Sequence, residues 1–179
     1  ARGAGPPDTP AAAGPGGAGG ARASAKRGVR GTWGGTGTLL RGGATARTLL
    51  PEIVSDRGGV GCGFRAEERA RHIVPGLEPA ADEDFATEWL APVLSIAVVD
   101  GVGASLAHIA RYSSGHTEAV TTTDEALATR FLNGTDSAVV MWNASTQFCD
   151  GGEFGFGAEI GIATGRIHAR GPVGLEQLT

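Results

Sequence analysis

The sequence predicts an α/β protein built on a parallel sheet with crossover helices. Residues 93–99 form a nearly continuous apolar run, which is typical of a strand buried on both faces of such a sheet. Two further strand-like segments, 118–122 and 137–143, alternate with two segments of helical periodicity, 104–112 and 124–132. This alternation of strand and helix favours parallel strands joined by crossover helices.

Upstream of this alternation the predicted elements are helices. Helical spacing of the apolar residues over 49–54 is interrupted at Gly58. A short helix is predicted over 66–73, with Pro75 closing it. Another is predicted over 81–90, where three leading acidic residues match the positive end of a helix dipole.

The two downstream helices have clearer signals. In helix 104–112 the residues Leu106, Ile109 and Ala110 share one side and form its apolar face. Asp124 is the expected N-cap of the next helix, because its carboxylate can accept from the first-turn N–H groups.

Residues 1–45 differ in composition from the rest of the chain. Sixteen of the 31 glycines lie in 1–60, which carries eight Lys and Arg against three Asp and Glu, whereas 61–179 carries seven against sixteen. The segment is rich in Gly, Ala, Arg and Pro and has no periodicity, so we expect it to be disordered. GC-rich DNA read out of frame would give the same composition. A nucleic-acid-binding arm is less favoured, because Arg-Gly-Gly occurs once, at Arg41.

Several classes of protein are not supported by the sequence. Its two cysteines, Cys62 and Cys149, have no spacing typical of a zinc site, so no metal is expected. No apolar run approaches the roughly 20 residues that span a bilayer, and residues 1–21 lack the apolar core of a signal peptide. We therefore expect a cytoplasmic protein with reduced thiols and no membrane partner.

Three parts of the chain carry a family resemblance. Residues 143–172 include Asp-Gly-Gly-Glu-Phe-Gly-Phe-Gly-Ala-Glu-Ile-Gly, and residues 112–119 are Tyr-Ser-Ser-Gly-His-Thr-Glu-Ala. Residues 70–90 include Ala-Arg-His-Ile-Val-Pro and Asp-Phe-Ala-Thr-Glu-Trp-Leu. Together these segments closely resemble the gamma-glutamyl phosphate reductases, also called glutamate-5-semialdehyde dehydrogenases, of the aldehyde dehydrogenase superfamily.

The resemblance implies a domain organisation. Residues 46–165 correspond to the later part of an aldehyde-dehydrogenase-like catalytic domain, and 166–179 to the start of a segment that helps to form a homo-oligomer. Residues 1–45 correspond to a degraded or disordered segment. The family's cofactor domain has no counterpart, so the chain is expected to be a C-terminal fragment.

The resemblance also implies a reaction, the NADPH-dependent reduction of L-glutamyl 5-phosphate to L-glutamate 5-semialdehyde and phosphate in proline biosynthesis. The family's nucleophile is a cysteine four residues before Glu-Thr-Leu-Leu, which matches residues 37–40 here. Trp33 therefore occupies the cysteine position, and the chain alone is expected to be inactive. Two alternatives remain, a catalytically dead binding partner of a full-length subunit and a nucleic-acid-binding arm on a vestigial domain.

Five residues are candidates for the site by resemblance, and each also has a structural interpretation. Glu88 matches the glutamate that contacts the nicotinamide ribose, but it could be an exposed acid at a helix end. The candidates for substrate or phosphate contacts are His116, Asn143, His168 and Arg170. His116 could instead be a turn residue bonded to backbone. His168 and Arg170 could form structural pairs at an oligomer interface. Cys62 and Cys149 are interpreted as incidental thiols.

Overall fold

The structure, a computed structural model, describes residues 37–152, 155 and 159–178. Contacts divide the described residues between two compact units, one ending at Ser113 and the other beginning at Ser114. The predicted α/β class is confirmed, because both units contain parallel strands connected through helices. None of the helices described is both long and apolar enough to cross a lipid bilayer.

The first unit contains a four-stranded parallel sheet. Its elements are β1 (Thr38–Gly42), α1 (Gly43–Gly58), β2 (Gly63–Ala66), α2 (Glu68–Ile73), β3 (Glu78–Pro79), a 3-10 helix (Asp82–Phe85), β4 (Val93–Val99) and α3 (Gly101–Tyr112). The strand order is β1-β4-β2-β3, and each neighbouring pair is parallel. The predicted strand 93–99 is confirmed as β4, and its five central residues are buried.

The core of this unit lies between α1 and the sheet. Leu49, Leu50 and Ile53 of the helix are buried in one cluster with Leu39 and Ile96 of the strands. Burying such a side chain contributes about 1.5–3 kcal/mol, so this helix is held mainly by its apolar face. The helix predicted from the spacing over 49–54 is confirmed as α1, which ends at Gly58, where that spacing is interrupted.

The expectation of a segment without regular structure up to residue 45 is wrong for residues 38–45. Residues 38–42 form β1 and pair with β4 over five residues, from Thr38 with Ser95 to Gly42 with Val99. The glycine content concealed a two-residue alternation, in which Leu39 and Arg41 are buried. The predicted boundary between 45 and 46 falls inside α1, and residues 1–36 lie outside the described part.

Two predicted helices in the first unit differ from those observed. The helix predicted over 66–73 begins only at Glu68, because Ala66 ends β2 and pairs with Ile96. The helix predicted over 81–90 is a 3-10 helix that ends at Phe85.

The early end of that 3-10 helix has a specific cause. A continuing α-helix would need the Asp84 carbonyl to accept from the N–H group four residues later. That carbonyl instead accepts from Ser95 Oγ at 2.7 Å. The Thr87 hydroxyl also donates to the Glu83 carbonyl, at 2.8 Å. Side chains therefore take the acceptors that a longer helix requires.

Helix 104–112 is confirmed as the C-terminal part of α3. Leu106 and Ile109 of its predicted apolar face are half-buried, whereas Ala110 is exposed. The predicted face is therefore right for two of its three residues.

The second unit contains two small sheets. Its elements are β5 (Thr117–Val120), α4 (Glu125–Gly134), β6 (Val139–Trp142), a 3-10 helix (Thr146–Phe148), β7 (Gly161–Ala163), β8 (Gly171–Val173) and a 3-10 helix (Glu176–Leu178). Strands β5 and β6 are parallel to each other, and β7 and β8 are antiparallel. Asp124 caps α4 as predicted, accepting from Leu127 N at 3.0 Å.

The prediction that strands 93–99, 118–122 and 137–143 share one sheet is wrong. Strand β4 is paired on its two edges with β1 and β2. Strands β5 and β6 pair with each other in a separate two-stranded sheet.

Candidate functional site

The structure places the two thiols of the described region in the interior. Cys62 and Cys149 are both buried and are not joined by a disulfide. Burial raises the pKa of the Cys149 thiol, and this effect is partly opposed by the hydroxyl of Thr117, which donates to Sγ at 3.1 Å. A catalytic cysteine needs a lowered pKa and access to substrate, so the burial and the raised pKa of Cys149 both disfavour that role. Trp33, at the expected cysteine position, lies outside the described residues.

Glu88 lies in the connection between the 3-10 helix and β4, and its side chain is exposed. The adjacent Trp89 anchors this connection, because its Nε1 donates to Ser95 Oγ at 3.1 Å. The Arg65 guanidinium also lies 5.9 Å from the centre of the Trp89 ring. No contact joins the Glu88 carboxylate to another described residue. It is therefore free to accept hydrogen bonds from two hydroxyl groups, and it does not end a helix.

Beyond the end of β2, the side chains of Glu67 and Arg69 form hydrogen bonds with the backbone of β4. Glu67 Oε1 accepts from Val98 N at 3.1 Å, and Arg69 Nη1 donates to Val98 O at 3.3 Å. The same Glu67 carboxylate accepts from the N–H groups of Arg69 and Ala70, at 2.9 and 3.0 Å, as the N-cap of α2. A glutamate at this position thus joins the start of a helix to the carboxyl end of the neighbouring strand.

His116 lies in the turn before β5, as the sequence predicts, and is buried. Its Nδ1 is 2.6 Å from Thr117 Oγ1, and the Thr117 hydroxyl donates to Cys149 Sγ. If Thr117 uses its proton for sulfur, the histidine ring must donate from Nδ1. The backbone carbonyl of His116 also accepts from Val139 N at 3.0 Å, which fixes the turn against β6.

Asn143 follows β6 in the left-handed conformation, with φ 55°. Its side-chain amide pairs with the backbone of Thr122 twice, accepting from Thr122 N and donating to Thr122 O, each at 3.0 Å. Its own N–H donates to Val120 O at 2.8 Å. The amide therefore joins the ends of two parallel strands.

The two basic candidates near the end of the chain have different partners. His168 Nε2 is 3.0 Å from the Gln177 carbonyl. Arg170 donates to Asp136 Oδ1 at 2.6 Å and to the Asp136 carbonyl at 3.2 Å. Arg166 also pairs with the Asp136 carboxylate. Asp136, which the sequence did not single out, thus holds two guanidinium groups together.

Asp136 is expected to make the stability of the second unit depend on pH. Its hydrogen bond with Arg170, which has the larger effect, and its hydrogen bond with Arg166 lower the pKa of its carboxyl below the usual value. The resulting stabilisation is present above the unfolded pKa of about 3.9 and is lost as pH falls through the lower folded value.

We therefore expect Asp136→Asn to lower the urea midpoint at pH 7. The midpoint of the variant should then fall less than that of the parent between pH 5 and pH 3. Urea unfolding at several pH values measures both effects. Parallel pH profiles for the two proteins would show that the arginine pairs do not stabilise the fold.

The five candidates are divided between the two units. Glu88 belongs to the first unit, and the other four belong to the second. In the second unit, the contacts described for each candidate involve different partners. The described residues also contain no group of three or more His, Cys, Asp and Glu that could hold a metal ion.

Two acidic residues that the sequence did not single out join distant segments within their units. Glu67 and Asp136 each join segments about thirty residues apart, since their partners include Val98 and Arg170. Their only local signal is an acidic residue beside the end of a predicted element. That signal does not identify the distant partner.

Comparison with known proteins identifies relatives of this sequence. No protein-family model matches the chain. A gamma-glutamyl phosphate reductase of Gluconobacter oxydans is 68% identical over 149 residues, which are 83% of this chain and 35% of the relative. One of Acidiphilium cryptum is 62% identical over 157 residues, which are 88% of this chain and 37% of the relative.

Solved structures agree with these sequence matches. The crystal structure of gamma-glutamyl phosphate reductase from Thermotoga maritima has a TM-score of 0.90 and 42% identity, covering 92% of this chain and 40% of that one. An acetylating aldehyde dehydrogenase from Geobacillus thermoglucosidasius has a TM-score of 0.63 at 16% identity, covering 86% of this chain and 44% of its own. The latter shows a shared fold alone. The chain spans about a third of the length of the curated relatives it matches.

Proposed function

Because this chain belongs to the gamma-glutamyl phosphate reductase family of the aldehyde dehydrogenase superfamily, we propose that it forms part of a reductase of the same kind. The proposed reaction is reduction of L-glutamyl 5-phosphate by NADPH to L-glutamate 5-semialdehyde, with release of phosphate, in proline biosynthesis. The observation that carries this proposal is the 68% identity over 149 residues to a protein of that name. The proposed enzyme is a cytoplasmic homo-oligomer.

Glu88 is the proposed contact of this chain with the cofactor. NADPH supplies a hydride when it is bound, and its nicotinamide ribose carries two neighbouring hydroxyl groups. The exposed Glu88 carboxylate has no partner among the described residues and can accept both hydrogen bonds. The anchored Trp89 beside it keeps the backbone of this connection in place. Glu88 thus binds and orients the ribose in this proposal.

The substrate contacts are proposed from the second unit. His116 would line the substrate pocket, while His168 and Arg170 would offer hydrogen bonds or positive charge to the phosphate. Arg170 would bind phosphate in competition with Asp136, with which it already pairs. Asn143 is a weaker candidate for direct contact, because its amide is already used by the Thr122 backbone.

The alternative function is a catalytically inactive partner of a full-length subunit. It is favoured by the burial of Cys62 and Cys149, the two thiols of the described residues. By itself the 179-residue chain is expected to show no reductase activity. Co-purification with a full-length reductase, without added turnover, would support this alternative over the proposed function.

A chimera provides the test of Glu88. Residues 46–178 of this chain would replace the matching segment of the Gluconobacter oxydans relative, which keeps its own upstream sequence. In this chimera we expect Glu88→Gln to raise the KM for NADP about tenfold, because one charge-assisted interaction with the ribose is weakened. The assay is phosphate-dependent reduction of NADP with glutamate 5-semialdehyde.

The matched control is Glu83→Gln, an exposed acid of the 3-10 helix that precedes this connection. Its KM for NADP is expected to change less than about twofold, as for a surface charge without a ligand. The KM for phosphate should change in neither variant. Equal effects of the two substitutions on the KM for NADP would remove Glu88 from the cofactor site.

A further inference from the structure

Arg41 is a buried cation in β1 with few partners. Its side chain lies on the same inward side of the strand as Leu39, and the residue is only 8% exposed. Nη2 donates to Thr45 Oγ1 at 3.2 Å, whereas the buried Nε has no hydrogen-bond partner among the described residues. Burial lowers the pKa of this guanidinium. Because burying an unpaired charge is costly, a buried arginine normally has an anionic partner.

The N-terminus of α1 lies at the same place as this guanidinium. Thr45, which Arg41 contacts, is in the first turn of the 16-residue helix, and its hydroxyl donates to Gly42 O at 3.2 Å. The N-cap residue, Gly42, has no side chain to cap the helix, and the first turn contains no acidic residue. The first N–H groups of a helix lack acceptors within it and carry a partial positive charge. Two independent features, a helix end and a buried arginine, thus favour negative charge here.

Asp100, an acidic residue close to Gly43, is already paired with Arg69. A β-carbon added to Gly43 would lie 3.3 Å from Arg69 Nη2 and 3.4 Å from Asp100 Oδ1. These two side chains form a bidentate pair, with N–O distances of 2.7 and 2.9 Å. A β-carbon on Gly42 would instead meet only Thr45 Oγ1 within 4 Å among the described atoms, at 3.8 Å. A side chain would therefore fit at Gly42, and the backbone beside Arg41 is not covered by a side chain of Gly42 itself.

We propose that Arg41 and the first-turn N–H groups of α1 bind the phosphate group of a small ligand. The guanidinium would supply charge and its unused donors, and the helix end would supply backbone donors of fixed direction. The ligand is either inorganic phosphate or a phosphate monoester, since both present the same oxygens. Arg41 has no part in the reductase chemistry proposed above, so the two proposals can fail independently.

The test uses the full 179-residue chain and two probes, inorganic phosphate and phenyl phosphate. Amide chemical shifts of Gly42, Gly43 and Thr45, followed by NMR during titration, report binding at the helix end, and the melting temperature reports it globally. We expect saturable shifts and a phosphate-dependent rise in melting temperature. Arg41→Gln should weaken binding at least about tenfold, as expected for loss of a charge-assisted contact. The matched control Arg47→Gln, an exposed arginine of the same helix, should change it less than about twofold.

A second variant keeps the test decisive if Arg41→Gln is poorly folded. Gly42→Asp places a carboxylate at the N-cap, where φ is −63° and a side chain fits. Its melting temperature without phosphate should exceed that of the parent, and the phosphate-dependent rise should disappear, because the new carboxylate occupies the site.

Binding of phosphate alone would identify a free anion as ligand, and binding of both probes would identify the phosphate group of a larger molecule. Either result supports the site. Absence of saturable binding of both probes would overturn the proposal. So would equal weakening by the Arg41 and Arg47 substitutions, or a Gly42→Asp variant that still responds to phosphate.

Discussion

Replacing Glu67 by alanine is expected to lower the free energy of unfolding by about 3 kcal/mol, from the loss of a helix cap and of a further charge-assisted bond. The carboxylate accepts from three backbone N–H groups, those of Arg69, Ala70 and Val98. The first two N–H groups belong to the first turn of α2. The third belongs to Val98 of β4, which lies beyond Ile96, the partner of the last residue of β2. Alanine would therefore separate the helix start from the central strand of the sheet.

Urea unfolding of this variant beside Glu68→Ala separates the specific effect from a general one. Glu68 is the adjacent exposed acid in the first turn of α2, and its loss should cost only about 0.5 kcal/mol through the helix dipole. Glu67→Gln, which keeps one oxygen acceptor, should fall between the two. If the alanine variants at 67 and 68 were equally stable, the link between α2 and β4 would contribute nothing measurable.

Replacing Asn143 by alanine is expected to lower the free energy of unfolding by about 2–3 kcal/mol. Two side-chain bonds to the Thr122 backbone would be lost, at about 1 kcal/mol each. Alanine would also have to adopt the left-handed conformation, with φ near 55°, at a further cost of about 1 kcal/mol.

A glycine at this position separates the two contributions. Asn143→Gly loses the same two bonds but adopts the left-handed conformation without strain, so its loss should be about 1 kcal/mol smaller than that of alanine. Urea midpoints of the two variants and the parent, measured under the same conditions, give the comparison. Alanine and glycine variants of equal stability would show that the backbone conformation is not strained.

The parts of the fold that could be predicted were specified locally. The apolar run of β4 and the interruption of helical spacing at Gly58 were sufficient to place β4 and the end of α1. Asp124 could be identified as an N-cap because its carboxylate and the N–H group that donates to it, that of Leu127, are only three residues apart in the sequence. Each of these signals is contained within one element and its ends.

The features that could not be predicted depend on distant partners. The Asp84 carbonyl is taken by Ser95, eleven residues away, which ends the 3-10 helix early. Strand β1 is stabilised by pairing with β4, more than fifty residues later, despite its glycine-rich surroundings.

The role of Asn143 shows the same limit within the candidate site. Resemblance selected this residue for substrate contact, but its amide pairs with Thr122, twenty-one residues earlier. The register between the two strands brings them together, and a single sequence does not reveal that register.

The central claim, that this chain is part of a gamma-glutamyl phosphate reductase, is tested most directly by turnover of the unsubstituted chimera. We expect the chimera carrying residues 46–178 to reduce NADP with glutamate 5-semialdehyde and phosphate at a kcat/KM within about tenfold of its parent, a difference of about 1.4 kcal/mol. The 179-residue chain alone should show no activity. A chimera that folds with the melting behaviour of its parent but has no phosphate-dependent turnover would contradict the claim.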